Sequence, residues 1–162
     1  MRTLMLLRHA KSSHKDERLV DHDRPLTKRG QRDASRIGAL LLDDDMVPDL
    51  IVSSTSCRTR ETTKRLTAAA GYRGPVRYTE ELYLAGPKQL VEVIAAQPAT
   101  RLDLLVVGHN PGLEELVLAL TKCDETLPTA SLVRISLPIR RWQDLKTTTA
   151  GKLVKIWRPK EL

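Results

Sequence analysis

Thr3-Leu4-Met5-Leu6-Leu7 runs into Arg8-His9, and Leu102-Asp103-Leu104-Leu105-Val106-Val107 runs into Gly108-His109. Both are short apolar runs with little alternation, the pattern of strands covered on both faces of a parallel sheet. A third run, Leu50-Ile51-Val52, closes with Ser53-Ser54, and Arg58 follows a few residues later. In open α/β sheets a ligand sits just outside the carboxyl ends of the strands, where the strand order reverses. Three segments far apart in sequence are therefore expected to bring two imidazoles and the guanidiniums of Arg8 and Arg58 to one pocket. Such a set suits an anion with several oxygens, phosphate first among them.

Strand-like and helix-like segments alternate along the rest of the chain, which predicts a mostly parallel sheet of about six strands flanked by helices. The strands are expected near residues 3–7, 49–53, 75–78, 102–107, 131–137 and 152–157. Thr27 is expected to cap a helix reaching Leu42, with Ala34, Ile37, Gly38 and Leu41 on one face. A second helix starts near Ser56 and stops at Gly71. A third, from Pro87 to Ala96, aligns Leu90, Val93 and Ile94. The fourth has Asn110 as its expected cap and Pro111 in its first turn, with Leu113, Leu116, Val117 and Leu120 at helical spacing. Glu114 and Glu115 in that first turn read as compensation of the helix dipole. The last two strands alternate polar with apolar residues, as strands near a sheet edge do. Residues 10–25 form a charged loop expected to lie over the pocket.

A length of 162 residues fits one domain, 1–162, with one substantial core. Hydrophobic residues are 41% and charged residues 29%, an ordinary globular balance. With no Phe, the core must be built from Leu, Val, Ile and Ala. No apolar stretch is long enough for a membrane span, and the first residues do not read as a signal peptide. Cys57 and Cys123 are too few for a disulfide framework and read as reduced thiols, so a cytoplasmic location is expected. Neither begins a Cys-x5-Arg loop. A net charge of +7 and a pI near 9.7 favour acidic partners. The basic residues are scattered and aromatics scarce, which argues against nucleic acid. A phosphorylated protein or a small phosphorylated substrate fits better.

A neutral imidazole can attack phosphorus, giving a phosphohistidine. Cations beside His9 disfavour its charged form and so hold it ready. The same guanidiniums can clamp phosphoryl oxygens with paired hydrogen bonds. Phosphoryl transfer asks mainly for positioning and charge, so the reading calls for no cofactor or metal. His14 and His22 read as solvent-exposed. Their spacing with Asp21 and Asp23 matches no familiar metal site. Trp142 and Trp157 are expected to cover the sheet edge.

Four motifs in order strengthen this reading. Leu7-Arg8-His9-Ala10-Lys11-Ser12 resembles the RHG signature of the histidine phosphatase superfamily, whose fold is phosphoglycerate mutase-like, with Ala10 in the glycine position. Pro25-Leu26-Thr27-Lys28-Arg29-Gly30 is similar to its PLT-x-x-G segment. Ser53 to Thr62 is similar to its SS-x-x-x-R-x-x-x-T helix start, and Gly108-His109-Asn110-Pro111-Gly112 to its second histidine. The small size and the RHAKS and GHNPG variants resemble SixA-type phosphohistidine phosphatases. The resemblance implies a three-layer α/β sandwich. It makes His9 the nucleophile and has Arg8, Arg58 and His109 hold the phosphoryl group, with Lys11 and Ser12 as further contacts. Larger members take a general acid from an insertion before the second histidine. Here Glu81 is the candidate, on a loop where adjacent glutamates also suit plain solvation.

Arg24 reads equally as an anion contact or an exposed loop residue. Arg60, two positions after Arg58 on the helix, should point elsewhere. The short insertion leaves little room for a lid, which favours hydrolysis over a mutase reaction. Three functions follow in order: hydrolysis of protein phosphohistidine, hydrolysis of a sugar phosphate, and non-catalytic binding of phosphate or nucleic acid.

Overall fold

Alternate residues of the central strands serve two different cores. In β1 (Arg2–Arg8) and β4 (Asp103–Gly108), Leu4, Leu6, Leu104 and Val106 face α3 (Pro87–Ala95) and α4 (Gly112–Thr121). Met5, Leu7, Leu105 and Val107 face α1 (Lys28–Asp43) and α2 (Cys57–Ala70) on the other side. All eight side chains are buried, each worth about 1.5–3 kcal/mol. This double burial explains why neither strand alternates in sequence.

The computed structural model describes residues 1–162. Its single sheet adds β2 (Leu50–Ser54), β3 (Val76–Thr79), β5 (Leu132–Leu137) and β6 (Lys152–Trp157), in the order β3-β2-β4-β1-β5-β6. β1, β2, β3 and β4 pair in parallel, and β5 runs against both β1 and β6. The expected three-layer, mostly parallel α/β sandwich is therefore observed. β6 is an edge strand as its alternation predicted, β5 lies one strand in, and β3 forms the other edge.

Helix starts follow local chemistry with one exception. Thr27 Oγ1 accepts the Gly30 amide at 3.0 Å to cap α1, and Ser56 Oγ accepts the Thr59 amide at 3.3 Å to cap α2. Gly71, at φ 62°, closes α2. Asn110 does not cap α4. That helix begins at Gly112, and Asn110 Nδ2 instead donates to Glu114 Oε1 and Leu127 O. Trp142 is also not an edge cover. It is fully buried in the α3/α4 core, with its indole N–H on Arg101 O at 2.6 Å. Trp157 does lie on edge strand β6.

The loop after β1 is stitched to its own far end. Ser13 N–H donates to Pro25 O at 2.8 Å and Thr27 N–H to Lys11 O at 2.9 Å. Gly30 packs on the same backbone, because a Cβ there would lie 2.2 Å from Lys11 O. Helix propensity alone would have Gly30→Ala stabilise by roughly 1 kcal/mol. The contact reverses that sign, and a loss of about 2 kcal/mol is expected in denaturant unfolding. A stabilised variant would show that α1 does not press on this backbone.

Candidate active site

β1, β4 and β2 lie side by side and end together, which sets three side chains at one edge of the sheet. Arg8 aligns with Gly108, and the His9 amide donates to Gly108 O at 3.1 Å. His9 and His109 follow directly, with ring centroids 5.4 Å apart. Ser54 closes β2, and its hydroxyl lies 2.8 Å from His109 Nε2. Arg58 enters from the first turn of α2, buried to 3% exposure.

The partners of each ring fix where its proton sits. His9 Nδ1 lies 2.8 Å from the carbonyl of Ala10, which can only accept, so Nδ1 carries the hydrogen. Nε2 then presents a lone pair, and Arg58 Nε donates to it at 3.3 Å. Arg58 Nη2 lies 3.4 Å from His109 Nδ1. A guanidinium only donates, so neutral His109 keeps its hydrogen on Nε2 and gives it to Ser54. Both rings thus turn an unprotonated nitrogen towards one guanidinium. Thr62 holds the backbone beneath, accepting the Ala10 amide at 3.0 Å and donating to Arg58 O at 2.7 Å.

Burial, and then the neighbouring arginines, lower the His9 pKa from 6.5 to about 4. Burial, His9 and Arg58 lower that of His109 to about 3. Both rings are therefore neutral in the free protein at pH 7. In an NMR titration of the ring resonances, both should stay neutral from pH 7 down to pH 5. Midpoints near 6.5 would contradict the buried geometry. Rings of the unfolded chain take up protons first, so the neutral pair stabilises the fold above pH 6.5. That stabilisation is lost as pH falls towards 4.

Asp21, which the sequence reading weighed only as a metal ligand and set aside, organises the far wall. Its backbone carbonyl accepts from Arg58 Nη1 at 2.8 Å, and its Oδ2 from Arg58 Nη2 at 3.0 Å. Oδ1 accepts from Arg24 Nε and Nη2 at 3.2 and 3.0 Å, and Tyr83 Oη donates to Oδ2. The bonds from Tyr83, Arg24 and Arg58 hold this carboxyl well below the usual range despite partial burial. Asp21 is anionic and has no proton to give. Tyr83 also sets its ring edge-on to His109, with centroids 5.3 Å apart.

The pocket between these groups is about 240 Å³. Arg8, His9, Lys11, Ser12, Arg58 and His109, all expected in the site, line it. Arg24 lines the pocket with them, its Nη1 donating to Ser12 Oγ at 2.7 Å. His14, exposed as expected, sits at the rim. Leu84 is the one hydrophobic residue in the lining. Arg8 is held by Leu127 O at 2.9 Å, and its buried Nε–H has no protein acceptor.

Two expectations are corrected. Glu81 is exposed and does not line the pocket, because it projects from the short turn Glu80–Leu82 into solvent. His22 is half-buried, bonded to Thr55 Oγ1 at 3.0 Å and set against Tyr83. Arg60 does point elsewhere, its guanidinium lying 4.4 Å from the centre of the Tyr78 ring. Cys57 offers no competing nucleophile, since burial and Glu61 push its thiol up to about 11. No three His, Cys, Asp or Glu side chains converge to hold a metal ion.

Residues 4–83 match the family model of the histidine phosphatase superfamily (branch 1). An uncharacterised protein of Mycobacterium leprae is 33% identical over 156 residues, covering 89% of this chain and 94% of that protein. A structure from Agrobacterium tumefaciens, assigned as the phosphohistidine phosphatase SixA, superposes with a TM-score of 0.84. It is 29% identical and covers 98% of both chains. A second, from Nakamurella multipartitia and assigned likewise, gives 0.79 at 32% identity, covering 98% of this chain and 96% of that one.

Proposed function

Because the chain belongs to the histidine phosphatase superfamily and is a phosphatase, we propose that it hydrolyses phosphohistidine on a protein through a phosphorylated His9. The observation that carries this reading is the unprotonated Nε2 of His9, aimed with His109 Nδ1 at the Arg58 guanidinium. A phosphoryl group seated there meets Nε2 as nucleophile and Arg58 as its main clamp. Arg8 supplies its unserved Nε–H. Ser12 accepts from Arg24 and so has its own hydroxyl hydrogen left for an oxygen, and Lys11 adds charge at the rim. Nε2 bonds to phosphorus as the bond to the leaving nitrogen breaks. Water then attacks the phosphoenzyme, releasing phosphate and free His9.

The leaving imidazole needs a proton. With Glu81 outside the pocket and Asp21 ionised, His109 is the group placed to move one. A bound phosphoryl dianion raises its pKa, so Nδ1 becomes a donor towards the reacting oxygens. This arrangement suits a phosphoramidate better than a sugar phosphate, whose alkoxide leaves poorly without a dedicated acid. The likeness to SixA-assigned structures supports the same substrate class. Two unpaired cysteines suit a cytoplasmic setting.

A substrate comparison tests the choice. The kcat/KM for a phosphohistidine peptide should exceed that for a sugar phosphate by about 10²–10⁴-fold, the worth of a positioned general acid. A sugar phosphate turned over faster would make the protein a small-molecule phosphatase.

A further inference from the structure

A broad concavity lies beside the catalytic pocket. It is a groove of about 510 Å³ between α1 and the turn at Pro159–Glu161. Arg29, Arg32 and Arg36 line it from one stripe of α1, at i, i+3 and i+7. The opposite face of that helix is buried through Ala34, Ile37 and Leu41. Arg158 and Lys160 line the other wall, so five cations face two carboxylates, Asp33 and Glu161. Arg36 and Arg29 lean on Asp33 at 3.4 and 4.0 Å, and Arg158 on Glu161 at 3.8 Å. Arg32 and Lys160 are exposed and make no ion pair.

The groove adjoins the catalytic pocket, with Thr129 lining both. The backbone there is tied to the nucleophile strand, since the Ala130 amide donates to Arg8 O and His9 O at 3.1 and 3.0 Å. The pocket itself is small and polar, with one hydrophobic lining residue. It can grip a phosphoryl group but reads little else of the molecule that carries it. Discrimination therefore falls to the surface alongside.

We propose that this groove docks an acidic segment next to the phosphohistidine of the protein substrate, with Arg32 and Lys160 as its free cations. The proposal rests on the phosphoprotein reading above and adds the sign and place of its recognition. Discrete cations broken by Asp33 and Glu161 suit separate carboxylates on a peptide better than the unbroken charge of a polynucleotide. No aromatic side chain lines the groove to stack a base.

The test uses two peptides bearing the same phosphohistidine, one flanked by glutamates and one by glutamines. Wild type should favour the acidic peptide in kcat/KM at low salt, and the preference should fade as salt rises. Arg32→Glu combined with Lys160→Glu should erase that preference, a change of about tenfold. Turnover of a small phosphoramidate should be unchanged. Lys88→Glu, an exposed charge on α3 in the opposite layer, should leave the preference intact and so show that a charge reversal outside the groove does not suffice. No preference in wild type, or one that survives the double reversal, overturns the proposal. So does tighter binding of single-stranded RNA than of the acidic peptide at equal salt. Fluorescence anisotropy with the unphosphorylated acidic peptide reads the groove without catalysis. If neither phosphopeptide is turned over yet this binding still needs Arg32 and Lys160, the phosphohistidine reading fails and the docking surface stands.

Discussion

His9→Ala is expected to lower kcat by on the order of 10⁴–10⁶-fold, the scale seen when a covalent nucleophile is deleted. It should also leave no acid-labile phosphate on the protein in rapid-quench experiments. The reason is local. Among the groups in the pocket, His9 Nε2 carries an available lone pair and a ring held in register by Ala10 O. His109 Nδ1 is the other unprotonated nitrogen, but its ring is tethered through Nε2 to Ser54 and is needed to move a proton. Phosphate binding should survive the change, because Arg58 keeps its two bonds to Asp21. A His9→Ala protein that turns over at near wild-type rate would require another nucleophile.

Arg58→Lys is expected to cost about 10²–10³-fold in kcat, as removal of a single oxyanion donor does elsewhere. Lysine keeps the charge but is one point. Arg58 reaches His9, His109, Asp21 O and Asp21 Oδ2 at once through three nitrogens, and an ammonium cannot span that set. Arg58→Ala should be worse, because the Asp21 carboxylate then faces the incoming phosphoryl group without its countercharge. Adding Asp21→Asn to Arg58→Ala should restore part of the lost phosphate affinity, read by calorimetry. No recovery would mean that Asp21 does not sense the oxyanion.

The sheet was legible because its central strands are apolar runs long enough to cross it and ended by histidines. The strand order was less so. That β4 intervenes between β1 and β2 depends on which helices cover which face, which no single segment records. Arg8, His9, Arg58 and His109 stood at strand ends or a helix start, where position itself signals function. Asp21 and Tyr83 carried no such signal. Asp21 sits in a loop crowded with charges, and its importance comes from a fold that sets it under two guanidiniums and a phenol. Glu81 misled because composition places an acid in the right interval while the three-residue turn aims it outward. Asn110 misled in a related way. It is a good capping residue in sequence, but Glu114 and Leu127 O take its side chain instead. Local propensity lost to tertiary contact at that helix start.

Trapping the phosphoenzyme and locating its phosphate is the most direct measurement. Phosphorus–proton correlation spectra of the quenched, proteolysed protein separate the two ring isomers of phosphohistidine. Phosphate on Nε2 of His9 is the expected result, because Nδ1 is committed to the Ala10 carbonyl. Phosphate on Nδ1, on His109 or on any other side chain would contradict the assignment of His9 Nε2 as the attacking atom.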